Sequence, residues 1–429
     1  MKKILLVSLI AFFVFSNIKA QDRYDTGSKF LNCVLQKQWD AAESLFDVSV
    51  KSKVSAALLQ QIFTQVQTQV GEFKSFDKPA NIGRQNHYTG HFSKLNLDIE
   101  VNLSDSSKIV GFFFLPVSNL YKLPAYADAS KYKTDKITIA SNGYELPGSI
   151  TAPVQTSASK VPLVIFVGGS GPNDMDETMD AEKPFKDLSI GLALNGIASL
   201  RYDKRTYVYH NLPGNITIKE EYLDDVSAAI QAAKAVPGVD PDRIFIAGHS
   251  LGGMLSPLIL KENPSLAGAI LLEANARPVQ DLMYEQSVHF SKIHYSQITD
   301  DDLKVLYATT QKINNITVKD TSESYLNVKG SYWLSLNAYT PLKVAAAIKT
   351  QKMLIIQGGY DYQVTKTDFD MWSAALAKKK NVSFKFYPTL NHALDDGKGT
   401  LSPAEYSAPA NTPVYLANDI SAWIKLYHK

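Results

Sequence analysis

The chain predicts an α/β protein built on a mostly parallel sheet with helices on both faces, preceded by a small α+β domain. Three observations carry this. From residue 136 onward, short apolar runs alternate with amphipathic helical stretches, as parallel strands covered on both faces require. Before residue 117 the rhythm differs: two helical stretches precede residues that alternate apolar and polar. Within the later region, residues 244–253 read Ile-Phe-Ile-Ala-Gly-His-Ser-Leu-Gly-Gly, a β-branched strand joined to an apolar helix through a glycine-flanked serine.

Residues 1–20 open with Met1-Lys2-Lys3, continue through an apolar run at 4–15 and end on the small Ala20. This predicts a signal peptide, a mature start at Gln21, and export to a periplasm or beyond. The run is short for a bilayer span, and no later run is long enough, so no stable membrane span is expected after cleavage. Phe30, Leu31, Val34, Leu35 and Trp39 then recur at helical spacing, and Leu58, Ile62, Val66 and Val70 fall four apart. Leu95, Leu97, Ile99, Val101 and Leu103 alternate with polar residues, which predicts a half-buried antiparallel strand. Asp105-Ser106-Ser107 makes the turn, and residues 109–115 return as a partner strand stopped by Pro116. Residues 25–117 are therefore read as the small α+β domain, and the aperiodic 118–135 as a linker.

In residues 136–429, strands are expected at 136–140, 145–151, 162–167, 197–202, 243–247, 266–272, 352–357 and 383–387. Helices are expected at 185–194, 222–235, 365–377 and 414–426. Residues 275–348 interrupt the alternation with a long, aromatic-rich, helical pattern. An insertion there reads as a lid over the carboxyl ends of the strands, with an ordinary peripheral helical layer as the alternative.

Composition excludes several classes of function. The net charge of +2 is spread over 429 residues with no basic stripe or Arg-rich run, so no nucleic-acid partner is expected. Cys33 is the only cysteine, which rules out an intrachain disulfide and suits a small buried hydrophobe. No His-Glu-x-x-His or close His/Cys group occurs, so no metal site and no cofactor are expected.

The chemistry centres on Ser250. A sharp strand-to-helix turn needs small residues two before and two after the serine, and Gly248 and Gly252 supply them. The helix start beneath favours developing negative charge. A serine nucleophile needs a base and a group to orient that base, and in this architecture the order is nucleophile, acid, histidine. His392 follows the last predicted strand and is the base; His428 lies at a helix end and is poorly placed. Asp361 ends a buried strand and a glycine pair, and is the acid, with helix capping as its alternative role. Asp368 and Asp370 are expected to face solvent. Of two oxyanion donors, one is the Leu251 N–H; the other comes from Gly168-Gly169-Ser170-Gly171-Pro172 and is assigned to Ser170, with Gly169 as competitor. Asp174, Asp176 and Glu177 could bind a substrate ammonium or form a solvated loop with one helix cap, and Arg201-Tyr202-Asp203-Lys204-Arg205 reads as a local ion-pair and capping cluster.

Together Gly248-His249-Ser250-Leu251-Gly252-Gly253, Gly169-Ser170-Gly171-Pro172-Asn173-Asp174, Asp361 and Asn391-His392 resemble the α/β-hydrolase superfamily. The nearer resemblance is to its exported bacterial serine-aminopeptidase-like and acyl-esterase-like branch. Some members of that branch carry a small N-terminal domain of unknown function similar to the cystatin/NTF2-like fold. The likeness is strong over 135–429 and weak over 25–117. It implies an eight-stranded sheet and a Ser250–His392–Asp361 triad. Many relatives have His where Gly168 stands, so a hydrogen bond that holds the oxyanion turn is expected to be missing here. The expected substrate is a small acyl ester, or a short peptide cut by the same machinery; the non-enzymatic alternative is binding of a cell-surface polymer through the small domain.

Overall fold

The computed structural model describes residues 21–51, 53–77, 85–104, 106–116, 121–154, 159–209, 212–293, 298–406 and 408–427. The expected signal peptide, residues 1–20, lies outside them, as does Asp105 of the expected turn. The chain divides into two compact units, Met1–Asn119 with Val208–Asn211, and Leu120–Tyr207 with Leu212–Lys429.

The first unit holds helices α1 (Gln21–Leu35), α2 (Trp39–Ser44), α3 (Val48–Lys51) and α4 (Ala56–Val70). Strands β1 (Phe73–Phe76), β2 (Gln85–Phe92), β3 (Asn96–Leu103) and β4 (Ile109–Pro116) form an antiparallel sheet in chain order. Ser55 caps α4, its side chain accepting from the Leu58 N–H. Ile99, Val101 and Leu103 of β3 are fully buried, as their alternation requires, whereas Leu95 is outside the strand and exposed. The core is rich in phenylalanine: Phe63 stacks on Phe112 and meets Phe114 edge-on with ring centroids 5.0 Å apart. Cys33 is only half-buried and packs against this core. Two of the four strands were not legible in the sequence. β2 reads Gln-Asn-His-Tyr-Thr-Gly-His-Phe, and its inward residues include Asn86 and Gly90 beside Tyr88, so it shows no apolar alternation.

The second unit opens with the antiparallel pair β5 (Tyr132–Ser141) and β6 (Tyr144–Pro153). It continues through β7 (Val161–Val167), α5 (Pro184–Leu194), β8 (Ala198–Tyr202), α6 (Arg205–Val208) and a π-helical turn, Lys219–Asp224, running into α7 (Asp225–Lys234). Then come β9 (Val239–His249), α8 (Leu251–Glu262) and β10 (Gly268–Leu272). The sheet closes with β13 (Lys352–Gly358), α13 (Lys366–Leu376), β14 (Val382–Tyr387) and α14 (Val414–Lys425).

Between β10 and β13 lies a mainly helical insertion: α9 (Val279–Lys292), α10 (Asp300–Asn314), a short hairpin of β11 (Ser324–Tyr325) and β12 (Val328–Lys329), α11 (Gly330–Asn337) and α12 (Pro341–Ala347). Thr299 and Asp302 form a reciprocal capping box at the start of α10. No helix among the described residues is long and apolar enough to cross a membrane.

The sheet order is β14-β13-β10-β9-β7-β8-β6-β5. The first six strands are parallel, and β6 and β5 are added antiparallel. Alternate side chains decide which helical layer each strand meets. Val164, Phe166, Phe245, Ala247, Ile270, Leu272, Leu354 and Ile356 pack on α5 and α14. Leu163, Ile165, Ile244, Ile246, Ala269, Leu271, Met353 and Ile355 alternate with them and are equally buried, facing the layer that holds α7, α8 and α13. The chain runs outward from β7 to β8 and returns on the other side of β7 to form β9. The crevice at the carboxyl ends of β7 and β9 is thus a topological switch point, where open parallel sheets place their sites. Residues 121–131, within the expected linker, are tied to the second unit: the Tyr121 hydroxyl donates to Asp187 and the Tyr126 hydroxyl to the carbonyls of Asp187 and Thr412.

Candidate active site

β9 ends at His249 and α8 begins at Leu251, leaving Ser250 alone at the bend. Its backbone sits at φ 51° and ψ −118°, a strained conformation for a residue with a Cβ, costing about 1–3 kcal/mol. The Ser250 N–H donates to the Leu272 carbonyl at 2.9 Å, and its carbonyl accepts from the Met254 N–H at 2.9 Å. The bend is possible because Gly248 and Gly252 lack side chains. A Cβ on Gly248 would lie 2.3 Å from the Gly252 carbonyl oxygen, and one on Gly252 would lie 2.4 Å from that of Val167.

His392 lies in the loop after β14, which folds around the Asn391 side chain. Asn391 Oδ1 accepts from the Ala393 N–H at 2.9 Å and the Asp395 N–H at 3.3 Å, while Leu390 and Leu394 are fully buried anchors. His392 Nδ1 meets Asp361 Oδ2 at 2.7 Å, and both residues are buried. Asp361 Oδ1 accepts from the backbone N–H groups of Gln363 at 2.7 Å and Val364 at 2.9 Å. Asp361 does not cap α13, whose N-cap is Thr365; it bonds His392 and orders the turn that leads to the helix. Burial pushes its carboxyl up, but the opposing charge and hydrogen bond of His392, with donors from Glu273 and Val364, hold it below the ordinary value.

His249 links this pair to the bend. Its Nε2 donates to the His392 carbonyl at 2.8 Å, its ring lies against the His392 ring with centroids 4.6 Å apart, and its Nδ1 bonds Glu177 Oε1 at 3.0 Å. The structure thus seats His392 against the residue that precedes Ser250.

The turn after β7 lies beside the serine: a Cβ on Gly169 would be 3.1 Å from that of Ser250. The Gly169 N–H donates to Glu177 Oε1 at 2.7 Å, so it is already engaged. Ser170 is exposed and Leu251 buried, both next to the bend's components. The turn after β7 is held by side chains from elsewhere. The Tyr222 hydroxyl donates to the Gly169 carbonyl at 2.6 Å, and Lys204 Nζ donates to the carbonyls of Gly169 at 2.8 Å and Gly171 at 2.7 Å.

Several sequence expectations are corrected here. Asp174, Asp176 and Glu177 are neither a solvated loop nor open to a ligand ammonium. Asp174 caps Thr178 through the N–H and the hydroxyl, Asp176 pairs with Arg201 and Lys183, and Glu177 is buried between Gly169 and His249. Arg201–Arg205 is not a local ion-pair cluster: Lys204 and Arg205 are buried and pair outside it, Lys204 with Glu221 at 2.9 Å and Arg205 with Asp225. Asp368 does not face solvent: it is fully buried, accepts from the Ala276 N–H at 2.9 Å and pairs with Arg277 at 2.8 Å. Asp370 is exposed as expected, paired with Lys366.

Glu273 was not anticipated at all. It directly follows β10, is fully buried and approaches Asp361. The available signal was a lone acidic residue ending an otherwise apolar strand, Gly-Ala-Ile-Leu-Leu-Glu. A cavity of about 240 Å³ lies between the start of α8 and the insertion, bounded by Met254, Ala276, Pro278, Leu336, Tyr339 and Pro341 among others. None of the serine, histidine or carboxylate groups described above lines it. Among the described residues no His/Cys/Asp/Glu group is arranged to hold a metal ion.

Serine at a strained bend, histidine and a buried acid all follow strands of one parallel sheet, and comparisons with known proteins agree with that class. The pattern of the prolyl oligopeptidase family matches residues 213–408, and that of a protein of unknown function, DUF3887, matches residues 28–112. The chain is 30% identical over 400 residues to esterase EstD of Thermotoga maritima, covering 92% of this chain and 93% of that protein. Among solved structures, the acylaminoacyl peptidase of Pyrococcus horikoshii is similar with a TM-score of 0.49 and 14% identity, over 83% of this chain and 50% of that one. Est1E of Butyrivibrio proteoclasticus is similar with a TM-score of 0.44 and 18% identity, over 68% of this chain and 99% of that one. The chain belongs to the α/β-hydrolase superfamily, in its esterase and prolyl-oligopeptidase-like branch, and is a serine hydrolase.

Proposed function

We propose that the chain is an exported esterase that cleaves small acyl esters through an acyl-enzyme on Ser250. The observation that carries the reading is the strained bend at Ser250 together with a buried His392–Asp361 pair at 2.7 Å, seated against His249, the residue that precedes the serine. Ser250 Oγ attacks the ester carbonyl carbon while its proton passes to His392 Nε2. The oxyanion is held by the N–H groups of Leu251 and Ser170; the Gly169 N–H is left out because Glu177 occupies it. His392 then gives the proton to the departing alkoxide. A water, deprotonated by His392, releases the carboxylic acid and restores the serine. Asp361 stays ionised throughout and supports the imidazolium that forms twice per cycle.

Ester cleavage is favoured over aminopeptidase action because Asp174, Asp176 and Glu177, the groups that would bind a substrate ammonium, are bonded within the protein. The relative EstD, named as an esterase, supports the same choice. The helical insertion acts as the lid that shapes the acyl pocket.

A fluorophosphonate probe is expected to label the full chain, and Ser250→Ala is expected to abolish both labelling and turnover of short-chain aryl esters. Labelling that persists in the alanine variant would remove Ser250 from the role.

A further inference from the structure

Glu273 opens the loop after β10 with φ 46°, in the left-handed region that favours glycine, and its side chain is fully buried. Its N–H donates to the Ile356 carbonyl at 3.1 Å, which fixes it across the end of β13. Oε2 accepts from the Gly358 N–H at 3.0 Å and from Gln357 Nε2. Oε1 is buried and receives no donor. The carboxyl lies within hydrogen-bond reach of Asp361. Gln357 Nε2 also leans on Asp361 Oδ2 at 3.4 Å, so it bridges the two acids.

Two buried carboxyl groups in contact cannot both ionise; one proton must lie between them. Counting donors decides which acid keeps it. Asp361 receives the N–H groups of Gln363 and Val364 and faces His392 Nδ1, whereas one Glu273 oxygen has none. Burial first, then the charge and hydrogen bond of Asp361, push the Glu273 carboxyl well above the ordinary glutamate value. The other titratable groups at these strand ends are His392 after β14 and His249 at the end of β9, the latter paired with Glu177.

We propose that Glu273 is a positioning residue for the esterase site: it holds a proton through Oε1 and donates it to Asp361, so that a carboxylic acid–carboxylate pair backs His392. This inference rests on the reading of Ser250, His392 and Asp361 given above. The extra donor fixes the Asp361 carboxylate and spreads its charge. A neutral amide can replace a neutral acid in that role; an aliphatic side chain cannot.

The test is the rate of fluorophosphonate labelling of the full-length protein between pH 5 and 9, for wild type, Glu273→Gln and Glu273→Leu. The glutamine variant is expected to label within about 3-fold of wild type with its acid-side limb unmoved, because an N–H replaces the O–H. The leucine variant is expected to slow by about 10-fold and shift that limb upward by about half a pH unit, because an undonated Asp361 favours the imidazolium more strongly. A glutamine variant whose limb falls by about one unit or more would mean that a charge had been removed, and would overturn the proposal. Equal slowing of both variants with no movement of the limb would also overturn it, leaving a purely structural tie. A wild type that does not label overturns the esterase reading first, and this inference with it.

Discussion

His249 is bonded at both ring nitrogens, and neither partner can donate. A backbone carbonyl and a carboxylate oxygen only accept, so both nitrogens carry hydrogen and the ring is an imidazolium paired with Glu177. Burial pulls its pKa down, but the charge and hydrogen bond of Glu177, with the His392 carbonyl, more than offset this and hold it above the usual 6.5. For such a raised group the stabilisation is complete below about pH 6.5 and fades as pH rises through the elevated folded value. Glu177→Gln leaves this charge buried without its partner. The variant is expected to lose on the order of 3 kcal/mol at pH 6 in urea unfolding, with a smaller loss at pH 9. Ester turnover is expected to fall with it, because Glu177 also holds the Gly169 N–H. The middle residue of Gly-x-Ser-x-Gly thus has a structural task that the motif alone does not disclose. The placement of Ser250, Asp361 and His392 after strands of one sheet was legible, because strand ends and chain order limit the choices. The contacts of Glu177 and Glu273 were not, because no motif or chain order ties them to His249 and Gln357, 72 and 84 positions away.

At the scale of elements, the π-helical turn Lys219–Asp224 has a definite effect. It turns two consecutive residues, Glu221 and Tyr222, into the buried interior together. Tyr222 reaches the Gly169 carbonyl, and Glu221 pairs with Lys204 through one oxygen and accepts from the Tyr332 hydroxyl of α11 at 2.7 Å through the other. The turn beside Ser250 is therefore wired to the helical insertion through a single carboxylate. Tyr222→Phe is expected to lower kcat for a short ester by about 10-fold with KM little changed, because the turn loses a donor that sets its geometry. A KM effect without a kcat effect would place Tyr222 in substrate binding instead. Sequence periodicity anticipated a helix over 222–235 with Leu223, Val226, Ile230 and Ala233 on one face; the last three are buried and Leu223 is half-buried. It missed the wider turn, because nothing in Lys-Glu-Glu-Tyr-Leu-Asp departs from an ordinary helical composition. The same limit explains Lys204 and Asp368: a charge beside other charges in sequence reads as locally paired or as solvent-facing, and only the fold shows that its partner is elsewhere.

For the whole molecule, the order of strands and helices was readable, since each parallel strand is an apolar run between helical patterns. Polar burial was not. Glu182 has no hydrogen-bond partner for either carboxylate oxygen among the described residues, and is almost fully buried. Burial first, then the neighbouring carboxylates Asp395, Glu405, Asp180 and Asp187, push it up to about 9 from an ordinary 4.5. Folding thus keeps a proton that the unfolded chain releases. Its contribution is most favourable below about pH 4.5 and is lost progressively as pH rises towards 9. Glu182→Gln is expected to be close to wild type in stability at pH 5 and more stable by on the order of 3 kcal/mol at pH 8, measured by urea midpoints. Parallel pH profiles would show that Glu182 ionises normally in the folded protein.

The excursion between β10 and β13 can be considered in two parts. α12 packs against both α8 and α13, and a single helix suffices to carry a right-handed crossover between neighbouring parallel strands. The rest of the insertion is then surplus to the strand order, provided that an exchanged segment keeps Ala276 and Arg277 for the buried Asp368 and the Tyr332 hydroxyl for Glu221. On the proposed reading of the insertion as a lid, a graft of that kind is expected to change acyl-chain preference, while the strand ends that carry Ser250, Asp361 and His392 keep their order.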